Sequence, residues 1–243
     1  MGGRQSTAAR VAVVAELFTS EGCSSCPPAD DLLRRLIDEQ PIQGVEVIAL
    51  SEHVDYWNHQ GWKDPFSSSK FTARQQQYGQ IIGDDRIYTP QLIVDGRTEM
   101  IGSDDAQVRK SLAEEAKAPH ASMKMTATRD TDGRAVAVRV DANGIPPDDA
   151  KSGDLDVVLA LVENGLVSEV KAGENARRTL HHSAVTRRLE VVGSLPKDAT
   201  SGTATAKLPL ATAWTAGNMR IVAFLQHRGS RRICGAAMTA IQP

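Results

Sequence analysis

Cysteine is scarce in this chain, with three residues among 243. That is too few for a scaffold stapled together by disulfides. Long apolar runs are missing as well; none approaches the ~20 residues that a membrane-spanning helix needs. Neither sign of charge dominates, with 28 Lys and Arg against 30 Asp and Glu. The basic residues cluster only in short pairs such as Arg177-Arg178, Arg187-Arg188 and Arg231-Arg232. This balance gives no electrostatic case for nucleic acid or an anionic membrane as a partner. The opening MGGRQSTAAR lacks an apolar core and so is not a complete signal peptide. There is no repeat of fixed period and no low-complexity tract.

Two of the three cysteines stand close together in ELFTSEGCSSCPPADDLL, residues 16–33. The run VAVVAELF before them has the length and β-branched content of a strand. After them Leu32, Leu33, Leu36 and Ile37 recur at helical spacing. Pro27 and Pro28 suit the first turn of that helix, where a missing N–H costs little. A thiolate placed between a strand and a helix start is stabilised by free N–H groups and by the helix dipole. Cys23, nearer the exposed end, is therefore the expected nucleophile, and Cys26 the thiol that resolves a mixed disulfide. Asp30 and Asp31 in the same helix weaken that stabilisation. A static structural bridge is the plain alternative. A structural zinc site is disfavoured, because no second CxxC and no HxxxH supplies further ligands.

Farther on, VEVIAL (45–50) reads as a second buried strand. PQLIVDGRTEMIG (90–102) reads as a hairpin turning at Asp95-Gly96, and Ser103 as the cap of another helix. The order strand, CxxC, helix, strand, long insertion, hairpin, helix is that of an α/β thioredoxin-like domain, placed at residues 11–117. From about Ala118 the pattern becomes short alternating runs such as AVAVRVDA, DLDVVLALVE and MRIVAFLQH, separated by Gly, Pro, Asp or Asn. These predict an all-β, sandwich-like C-terminal domain over residues 121–243.

Seven of the ten aromatic residues fall in the insertion: Tyr56, Trp57, Trp62, Phe66, Phe71, Tyr78 and Tyr88. They supply a small local core, a substrate-gripping surface beside the CxxC, or both. Tyr56, Trp57 and Trp62 are the candidates for substrate contact. At least one of the two tryptophans is expected within contact distance of the cysteine loop, because the second strand ends at the edge that carries Cys23. In SEHVDYW, His53 and Asp55 share a face if the backbone stays extended. His53 is then placed to act on a cysteine as acid or base. Glu16 is a candidate buried carboxylate relaying protons nearby. Cys23, Cys26 and His53 together form an alternative soft-metal set suited to Cu(I). The tandem His181-His182 sends one side chain to each face of a strand, which suits a structural role. Cys234 reads as a buried, solitary thiol.

The segments VVAELFTSEGCSSCPPADDLL, VIALSEHVDYWNHQGWKDPFSSSKFTARQQQYG and YTPQLIVDGRTEMIGSD together resemble an uncharacterised bacterial family. Its members are usually exported and carry a thioredoxin-like domain followed by a β-rich one. The likeness covers most of residues 11–117 and extends more weakly through AGENARRTLHHSAVTR (172–187). It implies that Thr89-Pro90, just before the hairpin, is a cis peptide packed against the CxxC, with the Thr89 backbone orienting an extended substrate. It also favours a periplasmic or secreted setting, with a signal peptide upstream of about Ala12 in the natural precursor and a disordered, partly non-native segment at residues 1–10.

Together these readings point to a thiol–disulfide oxidoreductase acting on proteins or peptides, with a redox recycling partner and no cofactor. Copper delivery through Cys23, Cys26 and His53 is the rival. A non-catalytic envelope binding protein with a permanent disulfide is the third reading.

Overall fold

The computed structural model describes residues 10–82 and 86–243. The expectations for the first nine residues and for anything upstream lie outside them. Strand β1 (Val11–Thr19) leads through the cysteine loop into α1 (Pro27–Glu39) and returns as β2 (Val45–His53), parallel to β1. Next come α2 (Ser69–Ile82), the hairpin β3 (Gln91–Val94) and β4 (Thr98–Ile101), and α3 (Asp105–Glu115). The cap of α3 is Asp104, one residue past the expected Ser103; its carboxylate accepts the Gln107 N–H at 3.0 Å.

The remaining chain supplies β5 (Ser122–Arg129), β6 (Ala135–Asn143), the short α4 (Pro147–Lys151) and β7 (Leu155–Glu163). It continues as β8 (Leu166–Glu169), β9 (Thr179–His182), β10 (Val185–Leu195), β11 (Ser201–Pro209), β12 (Met219–His227) and β13 (Ile233–Ala240).

The chain does not form an α/β thioredoxin-like unit joined to a separate β-sandwich. One mixed eight-stranded sheet, in the order β13-β12-β7-β10-β2-β1-β3-β4, takes four strands from each half of the sequence. The seam is narrow: Val185 of β10 pairs in parallel with Ser51 of β2, and the Ser51 N–H donates to the Ala184 carbonyl at 2.8 Å. The physical reason is visible in β7, whose LDVVLALVE is apolar almost throughout and buried at every position. A strand of that kind needs cover on both faces. Val158, Ala160 and Val162 belong to the buried cluster that also holds Val14, Ile48 and Leu50 of the N-terminal strands. Val157, Leu159 and Leu161 face the second sheet, β11-β6-β5, through Val136, Val138 and Val140. The change of pattern near residue 118 marks the entry to β5, while the large sheet runs on across it.

On the large sheet, α1 lies against the Leu17 side of β1. Helix α2 lies on the other side, where Phe18, Ile93 and Val54 enclose Tyr78. That side carries a buried polar knot: Arg74 Nε donates to Glu16 Oε2 at 2.6 Å, and the Tyr78 hydroxyl donates to Glu16 Oε1 at 2.5 Å. Arg74 also donates to Gln226 of β12 at 3.2 Å, tying α2 to the C-terminal strands. Burial pushes the Glu52 carboxyl well above the usual carboxylate range. Glu16 thus serves the α2 interface.

Candidate functional site

Cys23 and Cys26 form a disulfide with their Cα atoms 5.4 Å apart, and both residues are fully buried. Cys26 is the capping residue of α1, and its carbonyl accepts the N–H groups of Ala29 (2.9 Å) and Asp30 (3.1 Å). Ser24 and Ser25 between the cysteines are exposed. The Ser25 hydroxyl lies 3.3 Å from Cys23 Sγ and donates to the Thr89 carbonyl at 3.4 Å. The Thr89-Pro90 peptide is cis, so this peptide stands beside the cysteine loop.

Both candidate tryptophans flank that loop. The Trp57 indole donates to Thr89 Oγ1 at 2.8 Å, and its Cβ would lie 3.0 Å from any Cβ added at Gly22. That close approach explains why position 22 carries no side chain. Trp62 Nε1 donates to Glu21 Oε2 at 2.7 Å. Tyr56 donates to Gln75 Oε1 at 3.2 Å. The other insertion aromatics divide their work: Phe71 and Tyr78 are buried, while Phe66 lies edge-on to two histidines.

The loop is roofed from far along the sequence. Between β8 and β9, the buried Asn175 amide donates to the carbonyls of Glu21 and Cys23, each at 2.9 Å. Glu174 accepts the Ser24 N–H at 3.0 Å. Gly173 (φ +76°) packs against the 60–62 turn, where a Cβ would meet Gln60 O and Trp62 Cβ at 3.2 Å. The disulfide is therefore closed over by residues 173–175.

Under it lies a second polar knot. His53 Nδ1 sits 2.7 Å from Asp64 Oδ2, and Asp64 also accepts the Glu21 N–H at 2.9 Å. His182 Nε2 sits 3.1 Å from Glu21 Oε1. The two imidazoles are 5.1 Å apart, edge to face. Burial opposes the charge on His53, yet the Asp64 carboxylate holds its pKa above the ordinary 6.5. Asp64 in turn stays below the carboxylate range: burial would raise it, but His53 and two backbone N–H groups outweigh that. Strand β2 ends at His53, so the expected sharing of a face with Asp55 does not arise; Asp55 binds Thr72 of α2 at 2.6 Å.

Asp30 lies one helical turn beyond Cys26, a spacing that places the two side chains on one face. Its Oδ1 is enclosed without a hydrogen-bond partner. Burial pushes the carboxyl up to about 6, against the opposing pull of His182 and His53. As a disulfide, the cysteine pair offers no thiolate to a soft metal. Cys234 is a buried free thiol, pushed up to about 12 mainly by burial. It belongs to a different cluster with Asp149 and His227.

Against known proteins, residues 14–226 match the family described as "Protein of unknown function (DUF1223)". The chain belongs to the DUF1223 family. A structural-genomics crystal structure of an Agrobacterium tumefaciens protein shares 28% identity with this DUF1223 chain at a TM-score of 0.73. That likeness covers 97% of this chain and 96% of the other. HBP35 of Porphyromonas gingivalis is similar at 14% identity and a TM-score of 0.64, over 97% of this chain and 78% of that one; this is a likeness of fold alone. No curated protein matches the sequence. None of these matches carries a thioredoxin-like identity for this DUF1223 chain. No helix among the described residues is long and apolar enough to cross a membrane.

Sequence reasoning singled out Cys23, Cys26, Thr89, Pro90, Tyr56, Trp57, Trp62 and His53, all of which lie in or around this loop. It missed Glu21, Asp64, Asn175 and the role of His182. The one available signal was the tandem His181-His182, in which alternation buries one ring and exposes the other.

Proposed function

We propose that Cys23–Cys26 is a redox-active disulfide that exchanges with thiols and disulfides of protein or peptide partners. The observation that carries this reading is Asp30, a carboxyl raised to about 6 and set one turn from Cys26 at the start of α1. A carboxyl enclosed with one oxygen unpartnered is a burden on the fold, and such groups concentrate where protons are handled. In the reduced state the Cys23 thiolate attacks a partner disulfide, and one partner sulfur leaves as thiolate. Cys26 gives its proton to Asp30 and displaces the second partner sulfur. Two protein thiols thereby become the disulfide, and the partner disulfide becomes two thiols. The reverse sequence oxidises a dithiol partner. Entry in either direction requires residues 173–175 to lift from the loop. Disulfides persist in oxidising compartments, which supports a periplasmic or secreted setting.

The test is Asp30→Asn. The folded pKa of about 6 exceeds the ordinary 3.8, so the burden is absent below the lower value and complete above the higher one. Asparagine at this position is therefore expected to stabilise the protein by about 2–3 kcal/mol at pH 8 and by nothing near pH 3. Exchange with a peptide disulfide should rise through pH 6 in the natural protein and lose that inflection in the variant. Identical pH profiles would remove Asp30 from the mechanism.

A further inference from the structure

A cavity of about 640 Å³ opens on the α2 side of the sheet, between the start of α2, β10 and the Trp214 loop. Its volume suits a small organic ligand. Five cationic side chains line it (Lys70, Arg74, Arg187, Arg188 and Arg231) against one carboxylate, Glu190. Three of the five are already compensated. Arg74 binds Glu16, Arg187 Nε lies 3.3 Å from Glu163, and Arg188 lies 2.5 Å from Glu190. Among the described residues no carboxylate lies within ion-pair distance of Lys70 or Arg231. Arg231 meets only the neutral Gln226 side chain, at 3.4 Å. Burial, with Arg74 close by, depresses its pKa. Lys70 and Arg231 thus bring positive charge to the space without a direct ion pair, Arg231 feeling only the longer-range pull of carboxylates such as Glu16 and Asp156, on a chain whose net charge is −2. The N-terminal end of α2 opens on the same space and adds the positive end of its dipole.

Two further features favour an organic anion over a bare one. Phe66 and Trp214 both line the space, and the Arg187 guanidinium lies 5.2 Å from the Phe66 ring and 5.4 Å from the Trp214 ring. Thr186, only 2% exposed, is among the lining residues, and its enclosed hydroxyl has no hydrogen-bond partner. A buried polar group without a partner is costly, and a ligand oxygen would satisfy it.

We infer that this cavity binds a small organic anion, a carboxylate or phosphate carried on an aromatic body. The anionic group sits against Arg231 and Lys70 within reach of Thr186. The ring lies along Phe66 and Trp214. This binding does not depend on the state of the Cys23–Cys26 pair.

Calorimetric titration with phenyl phosphate, benzoate, phenol and inorganic phosphate tests it. Saturable binding of phenyl phosphate or benzoate is expected, and the stronger of the two identifies the anionic group. Phenol and inorganic phosphate should each bind at least ~10-fold more weakly, since each lacks one half of the recognition. Arg231→Gln should weaken binding ~10-fold or more. Lys70→Gln, at an exposed position, should weaken it without disturbing the fold, and Cys23→Ser should leave it unchanged. Three results would each overturn the inference: no saturable binding of either aromatic anion, equal affinity for phenol, or unaltered affinity in the folded Lys70→Gln protein.

Discussion

Cys23→Ser is expected to reduce disulfide exchange to the uncatalysed background while leaving a folded protein. The two effects separate because they have different origins. The disulfide closes a loop spanning only residues 23–26. Loop-closure entropy at that length contributes about 2 kcal/mol of stability, less than a bridge across a long loop provides. The local fold has other supports: Asn175 holds the Cys23 and Glu21 carbonyls, and the Cys26 carbonyl accepts the first-turn N–H groups of α1. These are backbone contacts that serine preserves. Loss of exchange with a shift in unfolding free energy near 2 kcal/mol is therefore the expected pair of results. A variant that exchanges as well as the natural protein would leave the disulfide a purely structural element.

Arg74→Met is expected to be the most destabilising single change in the α2 layer, by about 3–5 kcal/mol in chemical denaturation. Glu16 and Glu52 are both 0% exposed, and neither oxygen of Glu52 has a hydrogen-bond partner. Arg74 supplies the guanidinium that lets a charge reside there: its Nε lies 2.6 Å from Glu16 and 3.5 Å from Glu52. Removing it leaves Glu16 with the Tyr78 hydroxyl, too little for a desolvated carboxylate. A buried pair is not a net gain over apolar packing, so Glu16→Gln combined with Arg74→Met should recover part of the loss. Because Arg74 and Tyr78 both bond Gln226 of β12, the loss should appear in one cooperative transition of the whole chain. Separate melting of an N-terminal portion in the variant would contradict the shared sheet.

The local elements were legible because each depends on neighbours in sequence. The apolar run at Val11–Thr19, the proline-started α1 and the Asp95-Gly96 turn follow from chain chemistry within a few residues. Sheet partnership is a different kind of information. Nothing in VEVIAL or in VTRRLEVVGSL states that β2 and β10 lie side by side, and a single register pair joins them. The clearest hint was β7, whose unbroken apolar run demanded two covered faces, whereas an isolated sandwich with one solvated side implies alternation.

The site was half legible for the same reason. The CxxC, His53 and the tryptophans are marked by residue type and by position at a strand end. Asp64 could not be matched to His53 ahead of the nearer Asp55 without knowing that β2 stops at His53. Asn175 reaches the cysteine loop across 152 residues of sequence, and His182 reaches Glu21 across 161. Contacts at such separations leave no spacing pattern to read.

The reduction potential of the Cys23–Cys26 pair tests the redox assignment most directly. It can be measured by equilibrating the protein with glutathione or dithiothreitol buffers and quantifying free thiols. A thiolate stabilised at the start of α1 favours the reduced form. The expected potential therefore lies in the range of exchange-active pairs, roughly −270 to −120 mV. A pair that stays oxidised to below about −300 mV, as structural disulfides do, would contradict the account.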